Sequence, residues 1–175
     1  MTRTLAETIA VECARQEEAC RFTAAGLYIW QNSARFWRNS FVVTPIIIGS
    51  LACTIILFPV RLPHAEAISA GLAAFAGFFP AIFVALGMDM RVREIGEAAN
   101  EFTNLRDRFR ILRDTGAQIS LDDLCSEFED VMKRMERARN SSPPLPEKFF
   151  LKGRRKILTG HYTYSVDQHP PSAAG

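Results

Sequence analysis

The sequence predicts an all-α membrane protein, in which a two-helix transmembrane hairpin lies between a long cytoplasmic N-terminal helix and C-terminal cytoplasmic helices. The main observation is that two long arms, residues 41–60 and 67–88, contain no Asp, Glu, Lys, Arg or His. Twenty helical residues at ~1.5 Å each span ~30 Å, the thickness of a bilayer hydrocarbon core. The alternative, two buried core helices of a soluble protein, leaves too few other residues to cover both arms.

The length and charge of the chain limit its class. At 175 residues and a net charge of +2, it has the size of one domain, and nucleic-acid binding is not expected. We predict a single domain over residues 1–160 and an irregular tail over 161–175. A charged stretch of 40 residues with helical spacing precedes the first arm, unlike the short basic start of a signal peptide. The first arm is therefore expected to act as its own insertion signal.

Basic residues near the arms predict the orientation of the hairpin. The turn over residues 61–66 contains one, Arg61. Six arginines lie near the other ends of the arms: Arg35, Arg38, Arg91, Arg93, Arg106 and Arg108. Because Lys and Arg are retained on the cytoplasmic side, we expect an inner-membrane protein with both termini in the cytoplasm. The four cysteines would then lie in the reducing cytosol or the membrane, so no disulfides are expected.

Residues 1–40 are predicted to form one long cytoplasmic helix. Small and apolar side chains alternate there in steps of three and four, the spacing of a coiled-coil seam, although two polar members weaken it. The seam comprises Ala6, Ile9, Cys13, Gln16, Cys20, Thr23, Leu27, Trp30, Ala34 and Trp37. The aromatic residues near the first arm fit either a membrane-interface belt or a core against a neighbouring helix. They are Tyr28, Trp30, Phe36 and Trp37.

The first arm, residues 41–60, is predicted to be the first transmembrane helix. Asn39 and Ser40 are suited to cap a new helix at its start. Pro45 would then fall in the first turn, where a missing N–H costs little. Pro59 and Pro63 bracket the outer turn, residues 61–66, and limit both helices.

The second arm, residues 67–88, is predicted to be the second transmembrane helix. Small residues recur along it every four positions, and such stripes let helix backbones approach closely in lipid. The stripe comprises Ser69, Ala73, Gly77, Ala81 and Ala85. Two interpretations remain open: the stripe packs the hairpin against itself, or it makes contacts between chains in a homo-oligomer.

Pro80 lies in the middle of the second arm and is expected to kink it, because proline frees a backbone carbonyl. A kink beside Phe78 and Phe79 would allow a hydrophobic constriction that gates by dewetting. Kinks without a gate are common in membrane helices, so the kink alone is the simpler interpretation.

Residues 89–160 are predicted to be cytoplasmic and helical. An apolar stripe in steps of three and four marks the first helix and comprises Val92, Ile95, Ala99, Phe102, Leu105, Phe109 and Leu112. Gly116 is a plausible stop, and Ser120 with Asp123 resembles a capping box for the next helix. That helix is expected to end at the proline-rich residues 140–146, and a short basic amphipathic helix follows over 147–158.

No constellation of catalytic or metal-binding residues is evident, so the chain is not expected to be an enzyme or to need a cofactor. Cys13 and Cys20 are spaced as a packing seam rather than a zinc pair. The three histidines are scattered as His64, His161 and His169. The arms also lack the ionisable residues that coupled transport requires. A basic cluster is interpreted as a solvated face, with lipid headgroups or an acidic partner as alternatives; it comprises Lys152, Arg154, Arg155 and Lys156.

Two local patterns accompany this order of segments: Phe102, Leu105 and Arg106 inside residues 97–107, and Pro-Pro-Leu-Pro at 143–146 ahead of Arg154-Arg-Lys156. Together, the order of the segments and these patterns resemble the SLATT family. SLATT domains are two-transmembrane effector domains that associate with SMODS and SLOG domains in bacterial conflict systems. The resemblance implies a pore-forming or membrane-disrupting effector in an antiviral abortive response. It also implies a trigger from a nucleotide-second-messenger synthase, a sensor protein or a reverse transcriptase encoded nearby, and a cytoplasmic bundle that includes Phe102, Leu105, Arg106 and Phe109.

Three functions therefore remain to be compared. The leading expectation is a triggered pore formed by several copies in the bilayer. The second is a non-conducting two-span anchor that holds the cytoplasmic helices at the membrane for a partner. The third, a membrane enzyme with an unrecognised site, is disfavoured because clustered His or Cys and paired intramembrane carboxylates are missing from the sequence.

Overall fold

The structure, a computed structural model, describes residues 4–57 and 65–160. It contains five helices: α1 Leu5–Leu57, α2 Ala65–Ala85, α3 Met88–Thr115, α4 Leu121–Ser141 and α5 Glu147–Leu158. No strand occurs among the described residues, so the predicted all-α class is confirmed. Several predicted features lie outside the described residues: Pro59, residues 61–64 of the outer turn, and the tail with His161 and His169. Ala65 and Glu66, which were predicted to belong to that turn, are instead the first two residues of α2.

The chain divides into two compact units. One contains the residues up to Gln31 and those from Glu94 onward, and we call it the helical bundle. The other runs from Asn32 to Arg93, and we call it the apolar unit. By length and composition, α1 and α2 are both apolar enough to cross a membrane.

Helix α1 is continuous from Leu5 to Leu57, which corrects the prediction of a new helix near residue 40. Ser40 does not act as a cap. Its Oγ donates a 3.0 Å hydrogen bond to the carbonyl oxygen of Phe36, one turn earlier, and so stays compatible with the helix. Pro45 therefore lies deep inside α1 rather than in a first turn, where it removes one backbone hydrogen bond.

Helix α2 ends at Ala85, three residues before the predicted end of the second arm at Met88. The cause is Gly87, whose φ of 57° is in the left-handed region that glycine adopts without a steric penalty. The N–H of Gly87 donates to the carbonyl of Val84 at 3.1 Å, which closes the last turn. Helix α3 then begins at Met88.

The predicted apolar stripe of α3 is confirmed, since all seven of its members are buried. The N-terminal seam of α1 is also buried over most of its length, at Ile9, Cys13, Gln16, Cys20 and Leu27. These residues form the core of the helical bundle together with Leu124, Met135 and Ala138 of α4. The seam thus packs within the chain.

The predicted starts and ends of the helices in the bundle are confirmed. Helix α3 ends at Thr115, directly before Gly116. Ser120 is the N-cap of α4, and its Oγ accepts a 3.2 Å hydrogen bond from the N–H of Asp123. Helix α5 has the predicted bounds, residues 147–158. Leu121, the first residue of α4, is 48% exposed.

Helix α5 packs on α1 through two glycines. A Cβ atom added to Gly153 would lie 2.7 Å from the backbone nitrogen of Gly26 and 3.1 Å from the carbonyl carbon of Ala25. Beside this contact, the rings of Trp30 and Phe149 stack with their centroids 6.2 Å apart. The close backbone approach therefore requires glycine at position 153.

We predict that Gly153→Ala destabilises the packing of α5 by about 1–3 kcal/mol, because the two backbones must separate to admit the methyl group. Hydrogen exchange of the α5 amides should become faster, while exchange of α4 is unchanged. Gly71→Ala is the matched control, since a Cβ there meets no described atom within 4 Å. Equal α5 exchange in both variants would contradict the glycine contact.

Candidate functional site: the apolar unit

The apolar part of α1 has one narrow packing face and a wide exposed surface. Its buried and half-buried residues lie along one side of the helix: Phe41, Thr44, Pro45, Ile48, Gly49, Ala52 and Ile55. Around this face lie large exposed side chains, among them Ile46 and Ile47, which are 64% and 62% exposed. In the most apolar 18-residue window of the helix, 6% of the residues are buried.

Helix α2 has the same organisation. Its packing face comprises Ser69, Leu72, Ala76, Phe79 and Phe83. Phe79 is in contact with Phe41 of α1, with ring centroids 5.6 Å apart, and with Phe75, at 4.9 Å. The rest of the helix exposes both large and small side chains, and again 6% of its most apolar window is buried.

The predicted small-residue stripe does not coincide with this packing face. Ser69 is buried, but the other four members, Ala73, Gly77, Ala81 and Ala85, are exposed. A Cβ added to Gly77 would meet no described atom within 4 Å. Packing of the stripe against the other arm of the same chain is therefore wrong for these four positions, and contacts between chains stay a prediction.

The two aromatic residues of the predicted gate, Phe78 and Phe79, lie on different sides of α2. Phe78 is 66% exposed, whereas Phe79 lies against Phe41 on the packing face. Helix α2 continues through Pro80, which is itself exposed. A single chain thus does not bring Phe78 and Phe79 together as a constriction.

The polar side chains of the apolar unit are accommodated by the backbone of the helices. Ser50 donates to the carbonyl of Ile46 at 2.7 Å, and Thr54 donates to that of Ser50 at 2.9 Å. Such bonds to the preceding turn satisfy a hydroxyl without water. These two hydroxyl groups are therefore compatible with an apolar environment.

The charged end of the apolar unit carries an ion pair that the sequence did not reveal. A guanidinium nitrogen of Arg38, on α1, lies 3.5 Å from Oδ1 of Asp89, on α3. The adjacent Phe36 and Trp37 are 67% and 57% exposed, as an interfacial position requires. Trp30, by contrast, stacks on Phe149, so the interpretation as a core contact is confirmed for Trp30, and the membrane-interface position of Phe36 and Trp37 stays a prediction.

In the helical bundle, the four residues expected to characterise it occupy different environments. Phe102, Leu105 and Phe109 are buried in the core. Arg106 is half-buried, and its guanidinium contacts Asp107 at 2.6 Å. The three apolar residues are therefore packing residues of the core, whereas Arg106 forms an ion pair.

The polar contacts that join helices of the bundle include three made by arginines. Arg134 of α4 makes a bidentate pair with Glu101 of α3, at 2.6 and 2.8 Å. Hydrogen bonding from Arg134 lowers the pKa of Glu101, and the pair raises the pKa of Arg134. The other two contacts join Arg113 to Glu17 at 2.5 Å and Arg139 to Gln16 at 3.0 Å.

An open cavity of about 490 Å³ lies between α3 and α4 of the bundle. Charged side chains dominate its wall: Arg108, Glu127, Asp130, Lys133, Arg134 and Arg137. Within residues 4–57 and 65–160, no three His, Cys, Asp or Glu side chains are grouped to hold a metal ion. The cavity is thus a cleft of mixed charge, beside the Glu101–Arg134 pair.

In comparisons with protein-family models, curated proteins and solved structures, nothing matches this chain. The fold and the site define an all-helical protein with two helices that are long and apolar enough to span a membrane.

We predict a pH-dependent contribution from the Glu101–Arg134 pair. Because the folded pKa of Glu101 lies below its ordinary value of 4.5, the pair stabilises the bundle above about pH 4.5 and is lost as the pH falls through the folded pKa. Glu101→Gln should lower the unfolding free energy at pH 7 by about 0.5–1 kcal/mol, since both side chains are partly exposed.

The measurement is chemical unfolding of wild type and variant at several pH values. The difference should shrink towards acidic pH, where the wild-type carboxylate is protonated as well. Glu94→Gln, at an exposed position of the same helix, is the control. A difference that is constant across the pH range would show that Glu101 acts through shape rather than charge.

Proposed function

We propose that this chain is a membrane effector that inserts as a two-span hairpin in a bacterial inner membrane and forms a pore when it is triggered. The proposal agrees with the SLATT resemblance, which implies an antiviral, abortive-infection role. The single observation that carries insertion is the exposure of both apolar windows, each of which is 6% buried. Soluble proteins rarely expose continuous apolar surfaces of this extent to water.

The contacts within the apolar unit support an antiparallel arrangement of the spans. Phe41, where the apolar part of α1 begins, contacts Phe79, near the end of α2. Arg38 and Asp89 pair just beyond these ends. The arginines are concentrated at the same ends, so both polar ends would remain on the cytoplasmic side.

Assembly of several copies would use the exposed stripe of α2. Ala73, Gly77, Ala81 and Ala85 face away from the partner helix within the chain, and the space beside Gly77 is open. In lipid, such a surface allows close backbone contact with another helix. A trigger acting on the helical bundle must bind the open assembly more tightly than the closed one to shift their balance.

A second candidate function is a non-conducting anchor for a cytoplasmic partner. It is favoured by the positions of Phe78 and Phe79, whose side chains lie on different sides of α2. A single chain therefore does not form the predicted constriction. In this alternative the apolar unit only holds the helical bundle at the membrane. Replacement of residues 41–85 by a foreign two-span hairpin would preserve an anchor and abolish a pore.

The four cysteines test membrane insertion. Burial raises the pKa of Cys13 to about 11 and that of Cys20 to about 12, so neither should react with a charged thiol reagent in the folded protein. Cys125 is half-buried and Cys53 is exposed on the apolar unit. In membranes we expect modification of Cys125 but protection of Cys53, measured by mass spectrometry of peptides. Modification of Cys53 in intact membranes would contradict insertion.

The proposed pore is tested by placing a large side chain on the small-residue stripe of α2. We predict that Gly77→Leu blocks close contact between chains and reduces dye leakage from liposomes, and depolarisation of expressing bacteria, by about tenfold or more. That loss corresponds to roughly 1.4 kcal/mol of assembly free energy.

Gly71→Leu is the matched control, because it adds the same side chain at an exposed glycine of α2 outside the stripe. Cross-linking should report fewer oligomers for Gly77→Leu alone. Equal leakage from both variants would contradict a role for the stripe. No leakage or depolarisation by inserted wild type, tested with its neighbouring genes, would favour the anchor.

A further inference from the structure

Helix α5 has two faces of different chemistry. Its buried residues, Phe149, Gly153 and Ile157, recur every four positions and lie against the rest of the bundle. The contact between Gly153 and Gly26 brings the backbones of α5 and α1 together. The opposite side of α5 therefore faces outward.

Two leucines lie at the centre of this outward face. Leu151 and Leu158 are 51% and 70% exposed. They are seven residues apart, which is about two helical turns, so both point to the same side. At ~100° per residue, that side is opposite to Gly153.

Cations flank the leucines on both sides. Arg155 and Lys148 lie on one flank and Arg154 on the other, with Lys152 and Lys156 further round, and all five are exposed. None of them forms an ion pair with a described residue. The other charged residue of the helix is Glu147, so α5 has a local excess of four positive charges.

We propose that the outward face of α5 binds anionic lipid headgroups, with Leu151 and Leu158 inserted at the level of the acyl boundary. An apolar centre with cationic flanks fits a surface that is apolar below and negatively charged above. An acidic protein segment would satisfy the cations but would leave both leucines in water. The inference rests on the membrane insertion proposed above, but not on the pore.

The test places an environment-sensitive fluorophore at Leu158→Cys in the full chain, with Cys53→Ser and Cys125→Ser. Cys13 and Cys20 are fully buried and are expected to remain unlabelled. The protein is reconstituted in nanodiscs of phosphatidylcholine, with or without phosphatidylglycerol. We expect a blue shift of the emission with phosphatidylglycerol, and its loss at high salt, where screening shortens the reach of the charges.

Two variants serve as controls. The triple change Lys152→Gln, Arg154→Gln and Arg155→Gln removes cations from both flanks of the leucines, leaves the buried face of α5 intact and should abolish the shift. A fluorophore at Asp122→Cys, an exposed residue of α4, should not respond to the lipid. In unlabelled protein, hydrogen exchange of α5 should slow in the anionic nanodiscs, which checks that the label did not create the contact.

The outcomes separate the sources of negative charge. A shift caused by inorganic phosphate added to phosphatidylcholine nanodiscs would overturn the lipid assignment in favour of a free anion. Equal emission in both lipids, with Cys53 of the native protein protected, would refute the inference while insertion stands. Modification of Cys53 in membranes would instead refute the insertion on which it rests.

Discussion

The rest of the structure depends on one constraint, which is that two uncharged helical segments, one in α1 and one in α2, cannot cover each other. Each helix of the apolar unit uses one narrow face for the contact, represented by Phe41 on α1 and Phe79 on α2. The remaining circumference of both helices keeps large side chains exposed. Exposed apolar area costs roughly 25 cal/mol per Å² in water, and this cost is the physical argument for the proposed insertion into a membrane. The ends of the pair are charged and the middle is not, so a bilayer fits the pattern.

The helical bundle differs from the apolar unit, because its helices carry charged residues on most faces. A single apolar stripe on each helix is enough to form the core, in which Phe109 and Leu105 are fully buried. Charged and amide side chains then join the helices at the edge of that core, as in the pair between Glu101 and Arg134. Such partly exposed contacts add less free energy than the core.

Much of this architecture could be predicted from the sequence, because burial follows helical periodicity. The stripe from Val92 to Leu112 and the cap at Ser120 depend on local spacing alone, and both are confirmed. The continuity of α1 was missed because Ser40 is equally compatible with a cap and with a bond to the preceding turn. Gly87 was missed because its role as a stop depends on a backbone angle rather than on a pattern.

Contacts between distant segments were harder to predict, because they depend on the partner surface. Neither Gly26 nor Gly153 indicates by itself that the two backbones meet. The same holds for Gly96, where a Cβ would collide with the buried amide of Gln31. The function could be predicted only through a family resemblance, and the comparisons leave it a proposal.

The small-residue stripe shows that residues at a regular spacing in the sequence do not always lie on one face of a helix. Four residues turn a helix by ~400°, so a stripe in steps of four drifts by ~40° at every step. Ser69, its first member, lies on the packing face and is buried, whereas Ala85, four steps later, has moved ~160° around the helix and is exposed. The packing face that ends at Phe83 alternates steps of three and four and therefore stays in place. A stripe that winds away from the partner within the chain leaves room beside Gly77 for a second copy, which is the geometry that assembly in the membrane requires.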